Sequence, residues 1–463
     1  MADSMNLNLK NKNVTVVGLG KSGFAAAEFL KKQGTKARAT EGSAKDSVAC
    51  LAKRLVEDGI KVEIGRHTEE FLKGTDLFVT SPGVPDTAMP LKWAKENKIK
   101  VIDEIELAYR FCKAPIIAIT GTNGKSTTTS LIGHILNNCG KKAVVCGNIG
   151  NPFSAQIKNL KKDDIVVLEA SSFQLSRIDK FRPKVALFLN ASQNHLDRHS
   201  DFDEYFNAKM RVFENQTTAD WAVINYEDKN LARATKKIKA KKIFFSPDCR
   251  VAGKNYASVD KGTLFVSINK KRFDVCSVDD LKIKGRHNIE NALAAISAVC
   301  VLGIPALKIR EAIKTFEGLE HRCEYVATIE GVKFVNDSKS TTPDATIKAL
   351  TLCEGKVILI AGGRDKNSDF VPLRGYLKDK VKTLILIGEA KEKIKNALLN
   401  YVRIEQADTL DSAVQSAFKM AEKSETVLLS PMCTSFDMFE DFQHRGRMFK
   451  DSVKRLNLCV KQG

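Results

Sequence analysis

The sequence has no apolar stretch approaching the roughly 18 residues that cross a membrane, and Met1-Ala2-Asp3-Ser4 is too polar for a secretory signal. Neither membrane insertion nor export is expected. Paired cysteines are also missing. The eleven cysteines are scattered singly, with no Cys-x-x-Cys spacing and an odd total. That argues against a disulfide framework or zinc, and for reduced thiols in a cytoplasmic protein. Short repeats and low-complexity tracts are absent, which sets aside solenoids.

What is abundant is positive charge, a net +19. The densest basic run, residues 233–242 (RATKKIKAKK), has no interleaved aromatic residue, and lysine is otherwise spread along the chain. Nucleic-acid binders cluster their charge or add stacking rings, so no nucleic-acid partner is expected, and the charge reads as a solvated surface with anion-attracting clefts.

At 463 residues the chain is too long for one core. Three blocks alternate strand-like and helix-like patterns. The first has an apolar strand at 14–17, a glycine loop, a helix-like 24–32 and a second strand at 77–80. A new strand at 115–120 puts a boundary near 112. The second block runs to about 318, and the third carries strands near 357–361, 382–387 and 426–429. This alternation predicts an α/β chain with parallel, doubly wound sheets. The predicted domains are 1–112, 113–318 and 319–463.

Two loops carry phosphate chemistry. Gly18-Leu19-Gly20-Lys21-Ser22-Gly23 fits G-x-G-x-x-G between a strand and a helix. Its obvious reading is a dinucleotide, and Glu41 lies where a ribose-binding acid belongs. No nearby residue proposes a hydride-transfer partner, so it reads as a nucleotide-diphosphate site of unspecified kind. Thr120-Gly121-Thr122-Asn123-Gly124-Lys125-Ser126 is the stronger signal. Backbone N–H groups of 121–124 can cradle phosphate oxygens, Lys125 can neutralise β/γ charge, and Ser126 can ligate Mg²⁺. It is a variant P-loop, with Ile119 where the usual pattern has glycine. Glu169 ends a strand at a sheet's carboxyl edge, and His195 and Asp197 follow the strand at 185–189. Zinc at His195 and His199 lacks the acid of H-E-x-x-H, so Mg²⁺ shared with phosphates is the economical reading.

The order of the P-loop, Gly147-Asn148-Ile149-Gly150, the 169–174 stretch (EASSFQ), Asn194-His195-Leu196-Asp197 and Lys209 resembles the central domain of the Mur ligases. The 286–291 (RHNIEN) and 318–322 (GLEHR) stretches continue the likeness. The 336–341 stretch (NDSKST) and the C-terminal 429–442 stretch with Arg445-Gly446 resemble the member that adds D-glutamate to UDP-N-acetylmuramoyl-L-alanine.

The resemblance implies three domains: a Rossmann-like N-terminal domain, a central P-loop ATPase-like domain and a Rossmann-like C-terminal domain. It implies an ATP-dependent amide ligase of peptidoglycan precursor synthesis, working through an acyl phosphate with two Mg²⁺ ions, and a monomer is expected. The implied UDP-substrate residues are Leu19, Gly20, Lys21, Ser22, Thr40, Ser81 and Asn148. The implied ATP residues are Gly121, Thr122, Asn123, Gly124, Lys125, Ser126, Thr127, Asn291, Arg322 and Asp337. Lys339, Thr341, Lys366, Ser435 and Phe442 match positions that receive D-glutamate. Ser126, Glu169, His195 and Lys209, the last as a carbamate, match metal positions. Lys125, His195, Lys209 and Asn148 match the catalytic set.

Two departures stand out. Ala39-Thr40-Glu41 replaces a usual aspartate, and Asn194 stands where an acid is common. The alternatives are another Mur-type or folylpolyglutamate-type ligase, an NAD-dependent dehydrogenase, and a nucleic-acid-stimulated ATPase. The dehydrogenase leaves the P-loop unexplained.

Overall fold

The computed structural model describes residues 7–192, 201–248, 253–365 and 368–462. The chain divides after Phe316 into two compact units. The first unit carries two sheets. Strands β1 (Asn13–Val17), β2 (Lys36–Glu41), β3 (Lys61–Ile64), β4 (Leu77–Thr80) and β5 (Val101–Asp103) form a fully parallel sheet in the order β3-β2-β1-β4-β5. Its central strands are apolar on both faces, as helix-covered parallel strands must be.

The second sheet has nine strands. They are β6 (Ile116–Thr120), β7 (Ala143–Gly147), β8 (Ile165–Glu169), β9 (Val185–Phe188), β10 (Trp221–Asn225), β11 (Lys241–Phe245), β12 (Tyr256–Asp260), β13 (Thr263–Ile268) and β14 (Lys271–Ser277). The order is β14-β13-β12-β11-β10-β9-β6-β8-β7. Helices Lys125–Asn138 and Arg286–Cys300 contribute buried residues to one core with this sheet. The second helix is alanine-rich on its buried side, which lets its backbone lie close.

The second unit holds β15 (Glu324–Ile329), β16 (Val332–Asn336), β17 (Val357–Gly362), β18 (Val381–Ile387), β19 (Arg403–Gln406) and β20 (Thr426–Met432), ordered β15-β16-β20-β17-β18-β19.

The α/β class and three sheets agree with the sequence reading, but parallel pairing is not universal. The pairs β12/β13, β13/β14 and β15/β16 are antiparallel. Each turns through two residues at positive φ: Lys261 and Gly262 (47° and 78°), Asn269 and Lys270 (52° and 69°), Glu330 and Gly331 (49° and 85°). Two consecutive left-handed residues make the tight turn whose twist matches paired antiparallel strands.

Within the first unit a polar seam joins the two sheets. The buried Glu106 carboxylate accepts the N–H groups of Asp179, Lys180 and Phe181 and pairs with Arg110, which also reaches Asp179 at 2.6 Å. Arg177 donates to Thr80 Oγ1 at 3.1 Å and Asp86 Oδ1 at 2.5 Å. Glu104, also fully buried, accepts the Ser154 N–H at 2.5 Å, and its Oε2 has no partner among the described residues. Burial pushes its pKa up to about 6.

Candidate active site

The candidate residues follow the carboxyl ends of parallel strands, where open α/β sheets hold ligands. In the central sheet β6 runs into the phosphate-loop motif and then helix Lys125–Asn138. Gly124 caps that helix at φ +82°. A Cβ there would lie 2.2 Å from Asn291 Oδ1, so the loop needs glycine for conformation and for space. Asn291 is itself buried, accepting from Thr128 Oγ1 at 3.2 Å and donating to Asn288 Oδ1 at 3.1 Å.

The loop is braced from β9. Asn123 N–H donates to Asn190 Oδ1 at 2.8 Å, and Thr122 Oγ1 accepts the Ser192 N–H at 3.0 Å and meets the Tyr205 hydroxyl at 2.9 Å. Lys125 folds back over the loop, donating to the carbonyls of Gly121 (2.9 Å) and Thr122 (3.0 Å). Ser126 and Thr127 are buried in the first turn of the helix.

Beside this loop lie Asn148, Glu169 and Lys209. Gly147 is at φ +102°, and a Cβ on it would come within 2.4 Å of the Glu169 carbonyl oxygen. That close approach brings Asn148 against Glu169: the side-chain amide donates to Oε1 at 2.8 Å and the backbone N–H to the carbonyl at 2.9 Å. Glu169 is 2% exposed, and its Oε2 has no partner among the described residues.

Lys209 is no surface lysine. It is 2% exposed, 3.0 Å from the Gly121 carbonyl, 3.5 Å from Thr120 Oγ1 and 4.7 Å above the Tyr205 ring. Burial, reinforced by the Lys125 ammonium, pushes its amine well below the usual lysine range, and Glu169 only partly opposes this. His195, Asn194, Asp197 and His199 lie outside the described residues.

In the first sheet Gly18 sits at φ +90°, with Val84 and Ser81 filling the space a side chain would need. Helix Lys21–Lys32 begins at Gly20 without a side-chain cap, and its first residues are Lys21 and Ser22. Ser81 is buried, its N–H bonded to the Val17 carbonyl. Leu19 is fully buried and its N–H donates to Glu41 Oε2 at 2.9 Å, while Ser43 N–H donates to Oε1 at 2.8 Å. Thr40 is buried, its hydroxyl 2.7 Å from His67 Nδ1.

In the second unit Asp337 is 1% exposed and accepts the Cys323 N–H (3.1 Å) and the Ser430 hydroxyl (2.8 Å). Burial raises its pKa. Arg322 is exposed. The Lys339 ammonium lies 5.8 Å from the Phe442 ring, Ser435 is buried and Thr341 half-buried. Lys366 lies outside the described residues.

Three family profiles match the chain: the Mur ligase MurD-like N-terminal domain over 12–103, the Mur ligase middle domain over 119–299, and the Mur ligase glutamate ligase domain over 321–433. The chain belongs to the Mur ligase family. It is 42% identical over 454 residues to a UDP-N-acetylmuramoylalanine–D-glutamate ligase of Thermoanaerobacter sp. (strain X514), covering 97% of this chain and all of that protein. A protein of the same name from Caldanaerobacter subterraneus subsp. tengcongensis is 43% identical over the same shares. Among solved structures, UDP-N-acetylmuramate-alanine ligase MurC from Thermotoga maritima shares the fold at TM-score 0.58 and 19% identity, over 96% of this chain and 99% of that one. MurF from Acinetobacter baumannii does so at TM-score 0.61 and 16% identity, over 96% and 94%.

Sequence reasoning passed over Asn190 and Tyr205 of this Mur ligase, and it named Glu41 only as a ribose-type acid and Arg445 only as part of a C-terminal motif. Asn190 and Tyr205 brace the phosphate loop, and Tyr205 stands four residues before Lys209 on one helix face, a spacing that could have revealed it. Glu41 is committed to two backbone amides. Arg445 is fully buried: Nε donates to Ser338 Oγ at 3.0 Å and Nη2 to the Ser338 carbonyl at 2.9 Å, and the Cys433 carbonyl accepts at 3.2 Å. Ser338 Oγ in turn donates to the Phe442 carbonyl at 2.8 Å. One guanidinium thus joins the segments bearing Lys339, Ser435 and Phe442. Burial lowers its pKa to about 10.

Proposed function

We propose that the chain joins D-glutamate to UDP-N-acetylmuramoyl-L-alanine at the expense of ATP, forming an amide bond in peptidoglycan precursor synthesis. The observation that carries this reading is identity of 42–43% with ligases of that name over 97% of the chain. The buried cluster of Asn148, Glu169 and Lys209 beside the phosphate loop supports it. The domains are taken as 1–112 for the UDP-substrate, 113–318 for ATP and 319–463 for D-glutamate. The working form is taken as a cytoplasmic monomer without a nucleic-acid partner. Among the described residues no helix is long and apolar enough to cross a membrane.

A carboxylate is a poor electrophile, so the alanine carboxylate oxygen attacks the γ-phosphorus of ATP, ADP departs and an acyl phosphate forms. Two anions must meet for this, and Lys125 offsets their charge, with the Gly121 and Gly124 amides beside it; those of Thr122 and Asn123 are held by Asn190. Thr122, Asn123 and Thr127 shape that cradle, and Asn291, Arg322 and Asp337 receive the rest of ATP. Leu19 to Ser22, with Thr40 and Ser81, form the UDP loop, and Asn148 orients the alanine end. The uncharged amine of D-glutamate then adds to the carbonyl, its proton passes to His195 or to a phosphate oxygen, and collapse of the tetrahedral intermediate expels phosphate. Lys339 and Lys366 pair the two carboxylates of D-glutamate, with Thr341, Ser435 and Phe442 lining its site.

The donor set fits Mg²⁺: an unpartnered buried carboxylate oxygen on Glu169, the Ser126 hydroxyl, His195, and Lys209 once carbamylated. Two such ions, when bound, supply further cancellation of phosphate charge. Lys209 suits carbamylation because its burial favours the neutral amine. The lone pair of the neutral amine adds to carbon dioxide and a proton is lost to solvent, so an uncharged group becomes an anion that offsets the acid missing at Asn194.

The test is phosphate release from ATP with UDP-N-acetylmuramoyl-L-alanine and a panel of D- and L-amino acids. Turnover with D-glutamate alone is expected. Preference for lysine or diaminopimelate, or turnover with glutamate and a folate in place of the UDP-substrate, would overturn the assignment.

A further inference from the structure

The acid ending β2 stands where a dinucleotide fold places its ribose ligand, yet here both carboxylate oxygens face backbone. Glu41 Oε2 accepts the Leu19 N–H at 2.9 Å and Oε1 the Ser43 N–H at 2.8 Å, so one side chain bridges the loop after β1 and the loop after β2. Gly18 N–H is held by the neighbouring Thr40 carbonyl at 2.9 Å. Two successive amides of the glycine loop are therefore tied to the end of β2. Beyond them the chain enters a twelve-residue helix whose N-terminus has no side-chain cap.

This division of amides has a chemical consequence. A diphosphate needs N–H donors, and the Leu19 amide is already spent on an anion of the same sign as the ligand. The donors left are those of the helix's first turn, where the peptide dipoles also favour negative charge. Their direction depends on how the chain leaves Leu19, which Glu41 fixes from outside the loop. Charge-assisted hydrogen bonds to a carboxylate are strong enough to hold such a geometry.

We infer that Glu41 is a positioning residue for the uridine diphosphate moiety: it clamps the Gly18–Gly20 loop so that the first-turn amides of helix Lys21–Lys32 meet the diphosphate. This rests on the reading of the first sheet as the UDP-substrate site. Thr40, whose hydroxyl is engaged with His67, contributes its carbonyl to the same clamp.

The experiment compares Glu41→Ala, Glu41→Gln and the unaltered enzyme in steady-state assays varying each substrate, with UDP binding measured by calorimetry. Glu41→Ala should raise the KM for the UDP-substrate about tenfold and weaken UDP by a similar factor, the effect of losing a charge-assisted bond. The KM values for ATP and D-glutamate and the kcat should stay within about twofold. Glu41→Gln, which keeps one carbonyl acceptor for the Leu19 N–H, should fall between, and it supplies the test if the alanine variant does not fold. Unchanged UDP affinity in either folded variant, or a parallel rise in all three KM values, would overturn the clamp. An unaltered enzyme that ignores UDP-substrates would instead overturn the functional reading beneath it.

Discussion

Asn148 and Glu169 are joined twice, by the side-chain amide to Oε1 at 2.8 Å and by the backbone N–H to the carbonyl at 2.9 Å. The double contact sets the carboxylate's rotamer and leaves Oε2 as its free face among the described residues. Asn148→Ala should lower kcat by about tenfold to a hundredfold, the range for removing an oriented donor in a buried site. The ATP KM should change little. Steady-state kinetics at saturating ATP would check this, and a kcat near that of the unaltered enzyme would count against it.

Lys125→Ala should reduce turnover by about a hundredfold or more, because a cation at the transferring phosphoryl group is lost. The lysine opens helix Lys125–Asn138, is half-buried and bonds only carbonyls of the adjacent loop through the contacts described, so the thermal midpoint should scarcely move. Near-normal activity in a folded variant would remove this loop from the ATP site.

Lys209→Ala should be almost inactive, and formate or acetate should restore part of the activity by supplying the missing carboxylate. Labelled carbon dioxide trapped on the intact enzyme provides an independent readout. An active enzyme carrying an unmodified Lys209 amine would sink the carbamate.

Glu104 makes stability depend on pH. Its folded pKa of about 6 exceeds the ordinary 4.5, so the folded state holds the proton more tightly than the unfolded chain. Its contribution is fully present below about pH 4.5 and is lost as pH rises through about 6. Glu104→Gln keeps an acceptor for the Ser154 N–H without acquiring charge. At about pH 7.5 the variant should be more stable by about 2 kcal/mol, and near pH 4.5 the two should match. Urea unfolding across that range measures the difference, and a gap independent of pH would refute the assignment.

The parts legible in the sequence were those whose demands are local. A strand, a glycine loop and a helix start are read within ten residues, so the phosphate loops and the α/β class emerged from spacing alone. The antiparallel strands β12 to β14 did not. Their turns use Lys261 with Gly262 and Asn269 with Lys270, and a lysine at positive φ carries no compositional mark. Nothing in the composition marks Lys209 as buried, and only the motif resemblance singled it out. Its burial comes from the phosphate loop, 88 positions earlier at the Gly121 carbonyl. Arg445 was equally opaque, because its partner Ser338 stands 107 positions away and a buried guanidinium bonded to carbonyls has no local signature.

Three successive N–H groups converging on one anion is an arrangement that elsewhere captures phosphate. At residues 179–181 the anion is Glu106, delivered from helix Glu104–Tyr109 as a tethered ligand. The seam in the first unit is thus an occupied receptor site with both halves in one chain. Exchanging the first sheet together with helix Glu104–Tyr109 and Arg110 for those of another Mur ligase would empty the receptor unless the incoming segment carried the carboxylate and its arginine together. Inheritance of this joint is therefore all or nothing, whereas an apolar contact would tolerate gradual change.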